Sequence, residues 1–179
     1  AQPGPAAEEN IPYPGTFGAN SLTSWGDDDF CQTFFFVVPK TTSTPIYFRV
    51  YDPDCSGAID EAKGPYNTVT SFTVYGGKGC ISEPDARNTE PTGKYRSGNL
   101  LASRDFGDDV KYDRQWYTFG PFDPSSGEDM PEYGGRVFKV IAQGKSGDDG
   151  NLYRYFMSSK PDANEAMETA LKKANLPPD

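Results

Sequence analysis

IYFRVY (Ile46–Tyr51) runs directly into DPDCSGAIDEAK (Asp52–Lys63), and the reading of this junction decides the fold. The acidic half fits most of the calcium loop of an EF-hand. Asp52, Asp54 and Ser56 take its first, third and fifth positions, Gly57 the tight turn, Ile59 the hydrophobic position and Asp60 the ninth. The last position fails, because Lys63 stands where a bidentate Glu belongs. No helix flanks the loop: Ile46, Phe48 and Val50 alternate with Tyr47, Arg49 and Tyr51, the period of a strand, and Gly64-Pro65 comes after it. The stretch is therefore not an EF-hand. It is expected to be an acidic loop on a β-scaffold, with Glu61 or an acid from elsewhere completing a calcium shell.

The rest of the chain repeats the strand signal. CQTFFFVV (Cys31–Val38) is too apolar to have one face in water. TVTSFTVYGG (Thr68–Gly77) sets Phe72 and Val74 against Ser71 and Thr73. NLLAS (Asn99–Ser103), QWYTFGPF (Gln115–Phe122), RVFKVIAQG (Arg136–Gly144) and NLYRYFMSS (Asn151–Ser159) complete the series. Clusters of Gly, Pro, Asn and Asp bound each run, and 19 Gly with 16 Pro are spread along the chain. No helical segments separate the strands, so an all-β antiparallel sandwich of jelly-roll or immunoglobulin-like type is expected over residues 23–160. Residues 1–22 read as an extended arm. Residues 161–179 read as a short C-terminal helix and tail, with Asp162 as N-cap and Pro177 as stop. The intervals Ile81–Gly98 and Asp123–Gly135 read as polar loops.

Composition removes several function classes. Histidine is absent, which excludes Ser-His-Asp and Cys-His catalysis and His-ligated zinc or copper. A net charge of −9 argues against binding to a phosphate backbone, which needs a basic surface. No apolar run reaches membrane-spanning length. The opening AQPGPAAEEN resembles the new N-terminus left by cleavage at a small-residue site, so a secreted, non-enzymatic protein at the cell surface is expected.

The segment PKTTSTP reads as a hairpin loop between Cys31–Val38 and Ile46–Tyr51. Antiparallel pairing about it would bring Asp27, Asp28 and Asp29 beside Asp52, Asp54 and Asp60. Carboxylates gathered in this way repel unless neutralised, and a hard dication is the usual remedy. The same geometry pairs Cys31 with Cys55 in a disulfide worth about 3 kcal/mol and leaves Cys80 alone. SGDDGN (Ser146–Asn151) offers a second candidate metal loop through Asp148, Asp149 and Asn151, although Asp-Gly turns are also ordinary solvated chemistry. GDDVKYD (Gly107–Asp113) reads as a wet turn.

Taken together, DFCQTFFFVVP, PIYFRVYDPDCSGAIDEA, TSFTVYGG and GDDGNLYRYFMSS resemble secreted bacterial β-sandwich modules in which a strand ending in VYDPD enters an acidic turn. The resemblance spans roughly Phe30 to Ser159 and implies a non-catalytic, calcium-stabilised extracellular module. Trp25, Trp116 and Tyr117 are candidate aromatics for stacking on a glycan, with core filling as the plainer use of such side chains. The expected ligand is a glycan or a cell-surface protein. The alternative is a filament or surface-layer subunit that self-assembles by adding its N-terminal arm to a neighbour's sheet edge.

Overall fold

The computed structural model describes residues 14–21, 31–62, 64–86 and 96–165. Among these, the chain is all-β and every strand pair is antiparallel. The strands are β1 (Gly15–Phe17), β2 (Cys31–Pro39), β3 (Ile46–Tyr51), β4 (Val69–Gly76), β5 (Asn99–Phe106), β6 (Trp116–Phe122), β7 (Glu128–Met130), β8 (Gly135–Ser146), β9 (Gly150–Leu152) and β10 (Arg154–Ser158). One sheet runs β2-β8-β4-β5, with β7 also on β8. A second runs β10-β3-β6, and β1 with β9 forms a short ribbon.

The alternation read from the sequence is the burial observed. Ile46, Phe48 and Val50 of β3 and Phe72 and Val74 of β4 lie in one core with Phe138 and Val140 of β8. The core is largely aromatic: Phe48 meets Phe36 at 5.7 Å and Phe119 at 5.9 Å between ring centroids. Tyr153 is fully buried among them, and its hydroxyl donates to Gln32 Oε1 at 2.6 Å. Strand β2 is covered on both faces, as its composition requires. Phe34 and Val38 enter this core, while Cys31 and Phe35 join Tyr75, Cys80, Ile81, Val137 and Ile141 in a second cluster.

The expected hairpin between β2 and β3 is overturned. β2 pairs with β8, and β3 pairs with β10 and β6, so the Pro39–Pro45 connection passes from one sheet to the other. The reason is apolar: each strand has a strongly hydrophobic face, and placing them in opposing sheets lets Phe36 and Phe48 meet across the core. With that pairing goes the geometry proposed for a Cys31–Cys55 bridge. Cys31 belongs to the second cluster, Cys55 packs against the carbonyl of Gly150, and all three cysteines are buried as thiols.

Other expectations shift in detail. Gly15–Phe17 of the expected arm is strand β1 in the chain's own fold, with Thr16 fully buried. The loop expected over Asp123–Gly135 contains β7 and two 3-10 turns. Glu128 in β7 accepts hydrogen bonds from the amides of Gly79, Ile81 and Ser82 and from the Ser82 hydroxyl, pinning the connection after β4. Burial pushes the Glu128 carboxyl up, but those bonds outweigh it and hold the group below its ordinary range. The expected C-terminal helix, from residue 166 onward, lies outside the described residues, as do Trp25, Asp27, Asp28 and Asp29.

Candidate metal centre

Both acidic loops expected from the sequence come together, and a third loop joins them. β3 and β6 pair with Tyr51 opposite Trp116, so Asp52, just past the end of β3, meets the residues just before β6. The Asp52 amide donates to the Gln115 carbonyl at 2.9 Å, and the Arg114 amide returns a bond to Asp52 Oδ2 at 3.2 Å. Among the described residues, Asp52 and Arg114 are the two non-glycine positions with positive φ, at 57° and 56°, conformations that cost of order 1–3 kcal/mol each. The SGDDGN loop is tied in by Asn151. Its amide nitrogen donates to the Pro53 carbonyl at 2.8 Å and to Thr70 Oγ1 at 2.9 Å. Glu61 and Gly150 exchange two backbone bonds, at 2.9 and 2.7 Å.

Asp60 closes its own loop. Its carboxylate accepts from the Ser56 amide at 2.9 Å and the Leu152 amide at 2.7 Å. Ser56 Oγ donates to Asp54 Oδ2. Asp149 accepts from the Asn67 amide at 2.9 Å and so serves as a turn clamp. Asp148 is only half-buried, and the Glu61 side chain is exposed. Asp113 lies against Gly57: a Cβ built there would collide with both carboxylate oxygens, and Gly57 has φ of +83°. The glycine read as the turn of a calcium loop therefore also makes room for an acid from another connection.

Unpaired oxygens separate this cluster from a set of satisfied turns. Asp52 Oδ1, Asp54 Oδ1, Asp113 Oδ1 and Asn151 Oδ1 are buried and have no hydrogen-bond partner. Asp52, Asp54 and Asn151 are 0% exposed. An unpaired buried oxygen costs free energy, and an unpaired buried carboxylate costs more. The electrostatics show this strain. Burial, then Asp60, with Asp54 and Asp113 adding to it, pushes the Asp52 carboxyl up to about 8. Burial pushes Asp60 up to about 7 despite its two amide bonds, and it raises Asp54 as well. Among the described residues, no three or more Asp, Glu, Cys or His side chains are already drawn together as a metal cage. Asp52, Asp54, Asp60 and Asp113 repel one another across two loops, and Asp52, Asp54 and Asp113 each keep one buried oxygen without a partner.

Of the ligands read from the sequence, Asp52, Asp54, Ser56 and Asp60 share one region and Asn151 joins them from the second loop. The Asp149 carboxylate clamps a turn, while Asp148 is half-buried and Glu61 exposed. Asp113 lies in the segment read as a wet turn, and sequence reasoning misses it. Its signal is positional: Asp113 shortly precedes one strand as Asp52 directly follows another, and antiparallel pairing of those strands puts both acids at the same end. The candidate glycan aromatics also separate. Trp116 is on the outer face of β6, whereas Tyr117 packs inward on Phe106 and Phe119. Comparison with family models, curated proteins and solved structures gives no match, so the site is read from its own chemistry.

Proposed function

We propose that the chain is a non-catalytic β-sandwich module, of jelly-roll or immunoglobulin-like type, whose loop end is locked by a calcium ion. The observation that carries this reading is the set of four unpartnered buried oxygens, contributed by two separate connections and by strand β9. A donor set of carboxylate and amide oxygens, with neither nitrogen nor sulfur, suits a hard cation such as calcium and not zinc or copper. Asp52, Asp54, Asp113 and Asn151 would hold the ion, with backbone carbonyls or water filling the remainder of a six- to eight-oxygen shell. Bound there, it would neutralise mutual repulsion and cross-link the connections that leave β3, precede β6 and enter β9.

The module's role is binding, with a glycan or a cell-surface protein as ligand, and the setting is extracellular. Sites of modest affinity in extracellular modules work at calcium levels of about 10⁻⁴ to 10⁻³ M. The ion's work is structural: it makes the loop end rigid before a ligand arrives.

Melting curves test the reading. Protein stripped of metal and returned to calcium should unfold at a higher temperature than the same protein in excess chelator, as binding to the native state alone requires. The variant Asp52→Asn plus Asp54→Asn should lose that difference, and Asp113→Asn should reduce it. Superimposable curves with and without chelator would overturn the site.

A further inference from the structure

On the outer face of the β10-β3-β6 sheet, strand register sets Arg154, Tyr51 and Trp116 in one row and Phe156, Arg49 and Thr118 in another. Both rows point away from the core, because the row between them, Tyr155, Val50 and Tyr117, turns inward. Tyr47 points outward as well, alternating with the buried Ile46 and Phe48. A sheet face turned to water is ordinarily polar, yet this one carries Tyr47, Tyr51, Trp116 and Phe156, each only half-buried. The Tyr51 and Trp116 rings lie 5.4 Å apart between centroids, and the Arg49 guanidinium is 5.0 Å from the Trp116 centroid.

After β10 the chain returns to this same face. Thr118 Oγ1 donates to the Pro161 carbonyl at 2.8 Å, and Arg49 Nη1 donates to Asn164 Oδ1 at 2.5 Å. Asp162 faces Arg49, which is 7% exposed. Glu165 is held at the end of β10: its amide donates to Ser158 Oγ at 3.0 Å, and its carbonyl accepts from the Ser159 amide at 2.9 Å. The path therefore reaches residue 165 beside the Ser158 end of the face. Residues 166–179 lie outside the described residues. In their sequence Met167, Ala170, Leu171 and Ala174 recur with the period of a helix and form one apolar side. A helix over residues 166–175 would be about 15 Å long at about 1.5 Å per residue. The strand run from Ser158 back to Arg154 covers about 13 Å.

We propose that the outer face of the β10-β3-β6 sheet is the docking surface for the chain's own segment 166–175, which lies on it as a helix. Met167, Ala170, Leu171 and Ala174 pack on Phe156, Tyr51 and Trp116, and the sheet is then covered on both sides. Three observations select this occupant. The bonds at Pro161, Asn164 and Glu165 deliver the segment to the face, so docking closes almost no additional loop. Its helical length matches the face. Charge agrees as well: a helix that starts beside Ser158 and passes Phe156 ends at the row adjoining the acidic loops, where Asp108 and Asp109 are exposed. Lys172 and Lys173 fall in its last turn, where cations suit both those acids and the helix dipole. Trp116, one of the candidate glycan aromatics, then seats the chain's own segment and is closed to a glycan. The proposal is independent of the cation reading, because none of these contacts involves the unpaired oxygens.

Fluorescence tests this in a Trp25→Phe background, where Trp116 is the single indole. Each protein is read only where circular dichroism shows the sheet signal of the parent. A chain ending at residue 165 should emit at longer wavelength than the full chain and be quenched more strongly by acrylamide. Full-length Leu171→Asp should shift both readings in the same direction, and Leu171→Ala, the milder change, by less. Thr169→Gln, on the opposite side of the helix, should match the parent. All differences should be the same at every protein concentration, because the contact lies within one chain. Truncated and Leu171 variants that emit and quench like the parent would overturn the proposal. Protection of Trp116 that fades on dilution would also overturn it and assign the face to a second copy.

Discussion

The side-chain amide of Asn151 donates to the carbonyl of Pro53 across 2.8 Å, joining residues 98 positions apart in the chain. Its second donor bond goes to Thr70, which leaves its own oxygen buried and unpaired, as are oxygens of Asp52 and Asp54. A single side chain thus fastens the acidic loop to the strand pair β9–β1 and keeps one buried oxygen without a partner. Replacing Asn151 with Ala should lower unfolding free energy by about 1–3 kcal/mol, since two buried partners lose their donor. Denaturant unfolding in calcium and in chelator measures this. The loss should be larger in calcium, because one donor oxygen is removed as well.

Gly57 tests the approach of the third loop. A Gly57→Ala chain must place a side chain at φ of +83° and against the Asp113 carboxylate. The backbone alone costs of order 1–3 kcal/mol. Displacement of Asp113 should also shrink the calcium-induced rise in melting temperature. A variant that melts lower overall yet keeps the full calcium response would show that Asp113 is not a donor.

Glu128 gives a pH dependence of known sign. Its folded-state carboxyl lies below its ordinary range, so the native state binds fewer protons there than the unfolded chain does. The resulting stability is complete above the unfolded value of about 4.3 and disappears as pH falls through the lower folded value. Melting temperatures between pH 3 and 6 should therefore fall more steeply for the parent than for Glu128→Gln. At pH 7 the variant should itself be less stable, because an amide presents one acceptor oxygen where Gly79, Ile81 and Ser82 supply four donors.

The cysteines can be counted directly. All three are buried thiols, and burial holds Cys55 far above its ordinary range and Cys80 up to about 12. A thiol reagent should label native protein slowly and take up three equivalents per chain after denaturation without reductant. One equivalent would show that two of them are bridged.

The strand character of the chain is legible from its residues because the period of two is local. Ile46, Phe48 and Val50 need only a sheet to turn inward together, whichever strands flank them. The break with the EF-hand pattern is equally local, in Lys63 and in the strand before Asp52. The acidic character of the candidate site is legible too, through Asp52, Asp54, Asp60 and Asn151. Strand partners are not, since a nearby turn between two apolar runs suits a hairpin as well as a crossing between sheets. That ambiguity underlies the expected pairing of β2 with β3 and, through it, the Cys31–Cys55 bridge.

Sequence alone therefore determined which residues turn inward and which segments are acidic, because both arise from nearest-neighbour chemistry. Tertiary structure decided which acids meet. Burying the aromatic faces of β2 and β3 against one another places them in opposing sheets, and β3 takes β6 and β10 as its partners. Asp113 and Asn151 come to Asp52 because of that choice, as do Arg154 and Trp116 to Tyr51. None of these neighbours is close in sequence, and only the shared core brings them together.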